Sequence, residues 1–141
     1  MDLSIHHLHH FNHWAILVSA LILWMLGAVW YSPALFAKPW MKALNIVPDP
    51  SKKSSMIAGM ISSFLCDILV AFALAHAVMW AGAEGFHAGA FVGFVCWFGF
   101  IGATQFPQGI YEGRPTRLFW INSGYWLVGL LIVGGVIAVW H

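Results

Sequence analysis

The sequence predicts an all-α integral membrane protein, with four transmembrane helices in a compact bundle of two helical hairpins. Hydrophobic residues make up 61% of the 141 residues and charged residues only 8%, whereas soluble domains carry about 25% charged residues. A chain of this size cannot bury so much apolar surface in a globular core. Its apolar residues form four long runs without period-two alternation, which favours helices over a β-barrel.

Each run is long enough to cross a bilayer, because a helical crossing takes about 20 apolar residues. A His-rich segment, residues 1–13, precedes the first of them. We expect the four helices to span residues 14–31, 56–80, 87–106 and 118–140.

The connections between these helices differ in length and composition. The first, residues 32–55, contains four prolines and a short amphipathic piece around 40–44 that we expect on the membrane surface. The second, Ala81–Phe86, is a tight turn that contains glycine. The third connection runs from Pro107 to Arg117. We expect Pro107 to end the third helix, because proline breaks helices.

All six Lys and Arg residues lie in the first and third connections. Two crossings separate these connections, so they share one side of the membrane, and lysine and arginine accumulate in cytoplasmic loops. We therefore expect a multi-pass protein of the cell (inner) membrane with both termini on the outer side. The outer half then holds all eight histidines: His6, His7, His9, His10, His13, His76, His87 and His141.

Two stretches of the chain suggest an internal repeat of helical hairpins. Gly27–Pro39 and Gly102–Pro115 share small and aromatic residues at a constant offset, and each ends in a basic residue followed by proline. Repeats of this kind relate helices about an axis along the membrane normal. Coincidence between two glycine- and aromatic-rich helix ends is the alternative interpretation.

Small residues recur every four positions on the second and third helices, and such rows allow close packing in lipid. Because a short turn joins these two helices, we expect their small-residue rows to meet. The glycines of the fourth helix offer a further surface of this kind. The row on the second helix consists of Ser55, Gly59, Ser63, Asp67, Ala71 and Ala75, and the row on the third consists of Gly85, Gly89 and Gly93.

Asp67 is the most informative polar residue, because a carboxyl at bilayer depth is costly and is by default a candidate for function. It is either a proton or cation site, or a neutral group that locks two helices or two subunits together. His76 and Asn122 are further polar candidates inside apolar runs. An amide at the depth of Asn122 usually caps or bridges helices.

The histidines of the amino-terminal segment form a candidate metal site. If residues 1–13 are helical, His6, His10 and His13 share one face, His9 is adjacent, and His87 approaches from the same side. Imidazoles one helical turn apart suit zinc, copper or nickel. The alternatives are the polar face of an interfacial helix and a flexible terminal tail.

The sequence contains no nucleophile with its base, phosphate loop or paired-carboxylate site, so we do not expect an enzyme. It also lacks the basic, aromatic-rich cluster of a nucleic-acid-binding protein. We expect a non-enzymatic membrane protein that forms a homo-oligomer or joins a larger membrane complex. The alternative is a protein that binds or conducts protons or transition-metal ions through Asp67 and the outer histidines.

Several stretches resemble a known family, the small bacterial membrane proteins classed as domain of unknown function 1761. The resemblance runs from about Asn12 to Trp140, and its most specific part is Trp30-Tyr31-Ser32-Pro33. It implies four membrane helices and no assigned activity, and it does not include the His-rich start. The matching stretches are LGAVWYSPALFAKPWMK (Leu26–Lys42), CWFGFIGAT (Cys96–Thr104), INSGYWLV (Ile121–Val128) and GGVIAVW (Gly134–Trp140).

Overall fold

A computed structural model describes residues 13–47 and 50–140 of the chain. Within these residues, four apolar helices are long enough to cross a membrane, which confirms the predicted all-α membrane fold. The third of them, Phe86–Tyr111, is built from two α-helices with a π-helical stretch between them. In chain order the elements are α1 (His13–Trp30), α2 (Ala37–Leu44), a 3-10 turn (Pro50–Lys52), α3 (Lys53–Ala81), α4 (Phe86–Cys96), the π-helical stretch (Trp97–Gly102), α5 (Ala103–Tyr111) and α6 (Thr116–Val139).

The helix ends follow from local sequence. α1 ends just before Ser32 and Pro33, where proline disfavours a helical conformation for the preceding residue, and the Ser32 hydroxyl donates to the carbonyl of Val29 (2.6 Å). α3 ends at Gly82, whose φ of +66° places it in the left-handed region. The backbone N–H groups of Gly82 and Ala83 then bond back to the last turn, as in a Schellman motif.

The charged connections lie at one end of the bundle. α1 and α5 finish at this end, and α3 and α6 begin there. We call it the basic end, because the six Lys and Arg residues follow α1 and α5 in sequence. The tight turn between α3 and α4 lies at the opposite end, together with the start of α1.

α6 forms the centre of the bundle. In its most apolar stretch 56% of the residues are buried, compared with 17–28% in the other three membrane helices. α6 contacts α1, α3 and α4, and Val133 on α6 joins Leu23 on α1 and Leu74 on α3 in the main apolar core.

The bundle consists of two hairpins, as predicted. The most extensive contacts between helices join α4 to α6 and α1 to α3. The two stretches matched in the suggested repeat have different local structures. Residues 27–39 leave α1 after Trp30 and turn into α2, whereas residues 102–111 continue as one helix.

The glycines of α4 pack on α6, so the prediction that they meet α3 is wrong. A Cβ atom on Gly89 would collide with the carbonyl oxygen of Gly134, and one on Gly93 would collide with the carbonyl oxygen of Leu130. Gly134 in turn lies against the carbonyl oxygen of Gly89. The two backbones therefore approach at a distance that only glycine allows.

α3 packs instead against α1. The indole Nε1–H of Trp24 donates to the carbonyl oxygen of Met60 (3.1 Å), and the Trp24 ring meets the edge of Phe64 at a centroid distance of 5.7 Å. Only the second half of the predicted α3 row is packed inside the chain. Asp67, Ala71 and Ala75 are buried, whereas the residues of the row from 55 to 63 are exposed.

The third membrane helix passes through Pro107, so the prediction that Pro107 ends it is wrong. Proline removes one backbone donor and crowds the carbonyl four residues earlier, which here belongs to Ala103. Ala103 directly follows the π-helical stretch, and its N–H bonds to the carbonyl of Phe98, five residues back. The proline therefore follows a turn that is already wider than an α-helical one, and the helix continues to Tyr111.

Candidate functional site

Asp67 faces the inside of the bundle from the middle of α3 and is only 4% exposed. Its carboxyl lies close enough to Tyr125 of α6 to interact with it electrostatically. Among the described residues no hydrogen bond to this carboxyl is formed. Asp67 is thus an interior group of one chain, and its polar neighbour is a tyrosine that sequence reasoning did not select.

Tyr125 connects α6 to α1. Its buried hydroxyl donates a hydrogen bond to the carbonyl oxygen of Leu23 (2.7 Å). A Cβ atom on Gly27 would lie 3.3 Å from the same hydroxyl, so the small residue at 27 leaves room for the phenol. The hydroxyl of Tyr125 therefore links α6 to the backbone of α1.

Tyr31 and Asn122 form the next layer towards the basic end. The Tyr31 hydroxyl donates to Oδ1 of Asn122 (2.8 Å), and the ring of Tyr31 meets that of Tyr125 at a centroid distance of 5.9 Å. Beside them, the indole Nε1–H of Trp30 donates to the carbonyl oxygen of Ile121 (2.9 Å). Burial raises the pKa of the Tyr31 phenol to about 12, so it is an uncharged donor at neutral pH.

We call Tyr31, Asp67, Asn122 and Tyr125 the tyrosine cluster. The structure brings Asp67 and Asn122, two of the three polar candidates, into this one cluster. Its hydrogen bonds join α1 to α6, and Asp67 of α3 lies within electrostatic range of Tyr125. Such contacts fix the relative register of helices in a bilayer, because the bilayer core contains no water with which a polar group could form hydrogen bonds.

His76, the third polar candidate, lies outside the cluster. It is nine residues beyond Asp67 on α3, which is about 13 Å along a helix. Its half-buried ring meets the rings of Phe72 and Trp80 edge to face, with centroid distances of 4.5 and 5.4 Å. Its Nδ1–H donates to the carbonyl of Phe72 (2.8 Å), one helical turn earlier on α3.

The histidines of the metal hypothesis are only partly placed. His6, His9 and His10 lie outside the described residues. His13 and His87 are both exposed near the starts of α1 and α4, at the end opposite the basic end. In residues 13–47 and 50–140 no group of three or more His, Cys, Asp or Glu residues is arranged to hold a metal ion. A zinc, copper or nickel site in the histidine segment stays a prediction.

Sequence reasoning missed the tyrosines and a buried serine. Ser19 of α1 is fully buried, and its hydroxyl has no hydrogen-bond partner among the described residues. One turn further along α1 is Leu23, whose carbonyl accepts the bond from Tyr125. A phenol inside an apolar helix needs a partner, so the position of Tyr125 in the fourth run was the signal that could have identified this contact.

The comparisons with known proteins agree with this architecture and add no activity. The model of the family described as "Protein of unknown function (DUF1761)" matches residues 14–138. No curated protein matches the chain, and no solved structure matches it. Since the matched region covers most of the chain and all four membrane helices, the chain belongs to the DUF1761 family of proteins of unknown function.

Proposed function

We propose that this chain is a non-enzymatic membrane protein that acts as a structural or accessory subunit and associates with a second copy of itself. The observation that carries the proposal is an exposed face of small residues on the first half of α3. This small-residue face consists of Ser55, Gly59, Ser62, Ser63 and Cys66, all of them exposed.

The small-residue face consists of two neighbouring rows on α3. Ser55, Gly59 and Ser63 are four residues apart in one row, Ser62 and Cys66 are four apart in the other, and such spacings place side chains on one side of a helix. A Cβ atom on Gly59 would meet nothing within 4 Å among the described residues. Glycine inside a helix costs about 0.5–1 kcal/mol relative to alanine, and no close contact within this part of the chain offsets that cost.

A second copy of the chain is the occupant that fits this face best. In lipid, helices associate through small residues that let backbones approach closely, and a symmetric dimer places the same face on both sides of its interface. The face carries no charge and no bulky side chain, so two copies of it are complementary to each other.

The position of Asp67 supports a structural role over ion conduction. The carboxyl is enclosed within one chain beside Tyr125. Towards the opposite end, α3 places Ala71, Leu74 and Val78 in the apolar core. A path for ions through this region would need polar or hydrated groups, and these buried residues are apolar.

We also propose that the basic end faces the cytoplasm of a cell with an inner membrane, with both termini on the outer side. The clustering of Lys and Arg supports this orientation. Cysteine labelling in intact cells tests it. A membrane-impermeant maleimide should label Glu84→Cys, in the exposed turn after α3, and should label Lys52→Cys only after the membrane is opened. The reverse pattern would contradict the orientation.

Disulfide crosslinking through the native Cys66 tests self-association. In membranes oxidised with copper–phenanthroline, wild-type protein should form a covalent dimer, because Cys66 lies on the small-residue face. The dimer should disappear in Cys66→Ser. It should persist in Cys96→Ser, because Cys96 packs against the apolar core of its own chain.

A matched pair of cysteine positions provides the control. In the Cys66→Ser background, Gly59→Cys should crosslink, whereas Ile61→Cys should not. Ile61 is 58% exposed and lies at a similar depth, but it points about 160° away around the helix. Equal crosslinking at both positions would indicate random collision and would overturn the proposed interface.

A further inference from the structure

A cavity of about 320 Å³ lies at the basic end, between the end of α1, α5 and the first turns of α6. Its polar part is formed by Tyr31, Gln105 and Asn122, and its apolar wall by Phe106, Phe119 and Trp126. Asn122 lies six residues into α6, which is about 9 Å along the helix from its start at Thr116. The cavity therefore reaches inward from the level at which the helices enter the membrane.

The polar groups of the cavity leave hydrogen-bond donors unused. The Tyr31 hydroxyl donates a hydrogen bond to Oδ1 of Asn122 (2.8 Å). The amide nitrogen of Asn122 makes no hydrogen bond within the described part of the chain. The side-chain amide of Gln105 likewise has no partner among the described residues. These amide donors are available to a bound acceptor, and such a hydrogen bond is favourable because unpaired polar groups are costly away from water.

The π-helical stretch explains how Gln105 reaches this position. Its wider turn adds one residue to the helix, and one residue corresponds to a rotation of about 100°. The rotation applies to every residue of α5, including Gln105 and Phe106. π-helical turns occur often at functional sites, and here the stretch directly precedes two residues that line the cavity.

The rim of the cavity has no net charge. Arg114 and Glu112 form an ion pair with an Nε–Oε2 distance of 2.7 Å, and Gln108 Nε2 donates to the same carboxylate (3.0 Å). One positive and one negative charge therefore balance at the rim, and the lining offers no net charge to an ionic ligand. An uncharged ligand suits this lining.

The apolar wall provides a flat surface and an exit into the membrane. Phe106 and Phe119 pack edge to face at a centroid distance of 5.2 Å. Phe106 and Ile110 both line the cavity and remain 46% and 66% exposed. The wall is thus continuous with the outer, apolar surface of α5, along which a hydrocarbon tail can lie.

We propose that this cavity binds an uncharged, membrane-soluble molecule with a flat ring that carries carbonyl oxygens, as in a quinone. The carbonyls accept hydrogen bonds from the amides of Gln105 and Asn122, the ring packs against Phe106 and Phe119, and an apolar tail leaves past Ile110. A volume of about 320 Å³ is at the lower end of the range for ligand pockets, which suits a single ring. The site is separate from the small-residue face of α3, so it does not depend on self-association.

Saturable binding of radiolabelled decylubiquinone to the purified full-length chain in detergent tests the proposal. Wild-type protein should bind one molecule per chain, in competition with unlabelled decylubiquinone. The ring-shaped anion 4-decylbenzoate should compete poorly, because the neutral rim does not compensate its charge. Absence of saturable binding, or equal competition by the anion, would overturn the proposal.

Two variants and a matched control locate the bound molecule. Gln105→Leu should raise the Kd about fivefold to tenfold, which is the usual effect of losing one hydrogen bond. Asn122→Leu should raise it further, and Gln105→Leu keeps the test decisive if the Asn122 variant does not fold. Thr104→Val, a polar-to-apolar change beside Gln105 that does not line the cavity, should leave the Kd unchanged. An unchanged Kd in Gln105→Leu would refute the assignment of the site.

Discussion

Gly89→Ala tests the close approach of α4 and α6, the most extensive helix contact in the bundle. The added Cβ atom would lie 2.5 Å from the Cβ of Ala138 and would also collide with the carbonyl oxygen of Gly134. Ordinary contacts at a Cβ atom begin at 3.4 Å, so the helices must separate by about 1 Å. A gap of this size forfeits a quarter to a half of the dispersion energy of the atoms beside it.

The expected cost follows from which atoms clash. Overpacking a well-packed site costs about 1–3 kcal/mol, and we expect the upper part of this range. One of the clashing groups is backbone and the other is a Cβ atom, so neither can rotate away. The free energy of unfolding can be measured by titrating sodium dodecyl sulfate into mixed micelles and following the loss of helical circular dichroism.

Gly109→Ala is the matched control for this measurement. Gly109 lies within α5, and a Cβ atom there would meet nothing within 4 Å. The same chemical change should therefore stabilise the protein by about 0.5–1 kcal/mol through helix propensity alone. If Gly89→Ala were as stable as wild type, the close packing of α4 on α6 would be refuted.

Three further substitutions test the buried polar groups by the same unfolding assay. Tyr125→Phe removes the bond to the Leu23 carbonyl and should destabilise by about 1 kcal/mol; no loss would mean that this bond does not hold α1 on α6. Ser19→Ala removes a buried hydroxyl without a partner and should leave stability unchanged or raise it, whereas a loss above about 1 kcal/mol would reveal a partner. Folding raises the pKa of Tyr31 from 10.0 to about 12, so the folded state keeps the phenol proton longer than the unfolded chain does. Wild-type stability should then fall as the pH rises from 10 towards 12, and Tyr31→Phe should lose less stability over that interval; identical pH profiles would argue against a buried Tyr31 phenol.

The membrane fold could be predicted from the sequence because the bilayer imposes simple rules. The length of each apolar run sets the length of a helix. All four predicted helices are present, three of them within three residues of their expected limits, and the third runs five residues further, to Tyr111. The break after Trp30 and the glycine turn after Ala81 were also predictable, because proline and glycine act through local backbone geometry.

Helix partners and buried contacts could not be predicted in the same way. Gly89 and Gly93 would allow a close approach to any small-residue surface, and the choice of α6 over α3 depends on the whole bundle. Pro107 was misleading because the π-helical stretch before it has no plain sequence signature. The partner of Tyr125 is a backbone carbonyl, which every residue has, so the sequence marks the donor and does not identify the acceptor.

The number of copies of the chain in each membrane complex tests the proposed role of α3 most directly. Native mass spectrometry of particles excised from the membrane with their lipid would count the chains without crosslinking. The small-residue face predicts two copies for the wild type. It predicts one copy for Gly59→Leu, in which a bulky side chain occupies the centre of the face. A single copy in the wild type, or two copies in both proteins, would contradict self-association through α3.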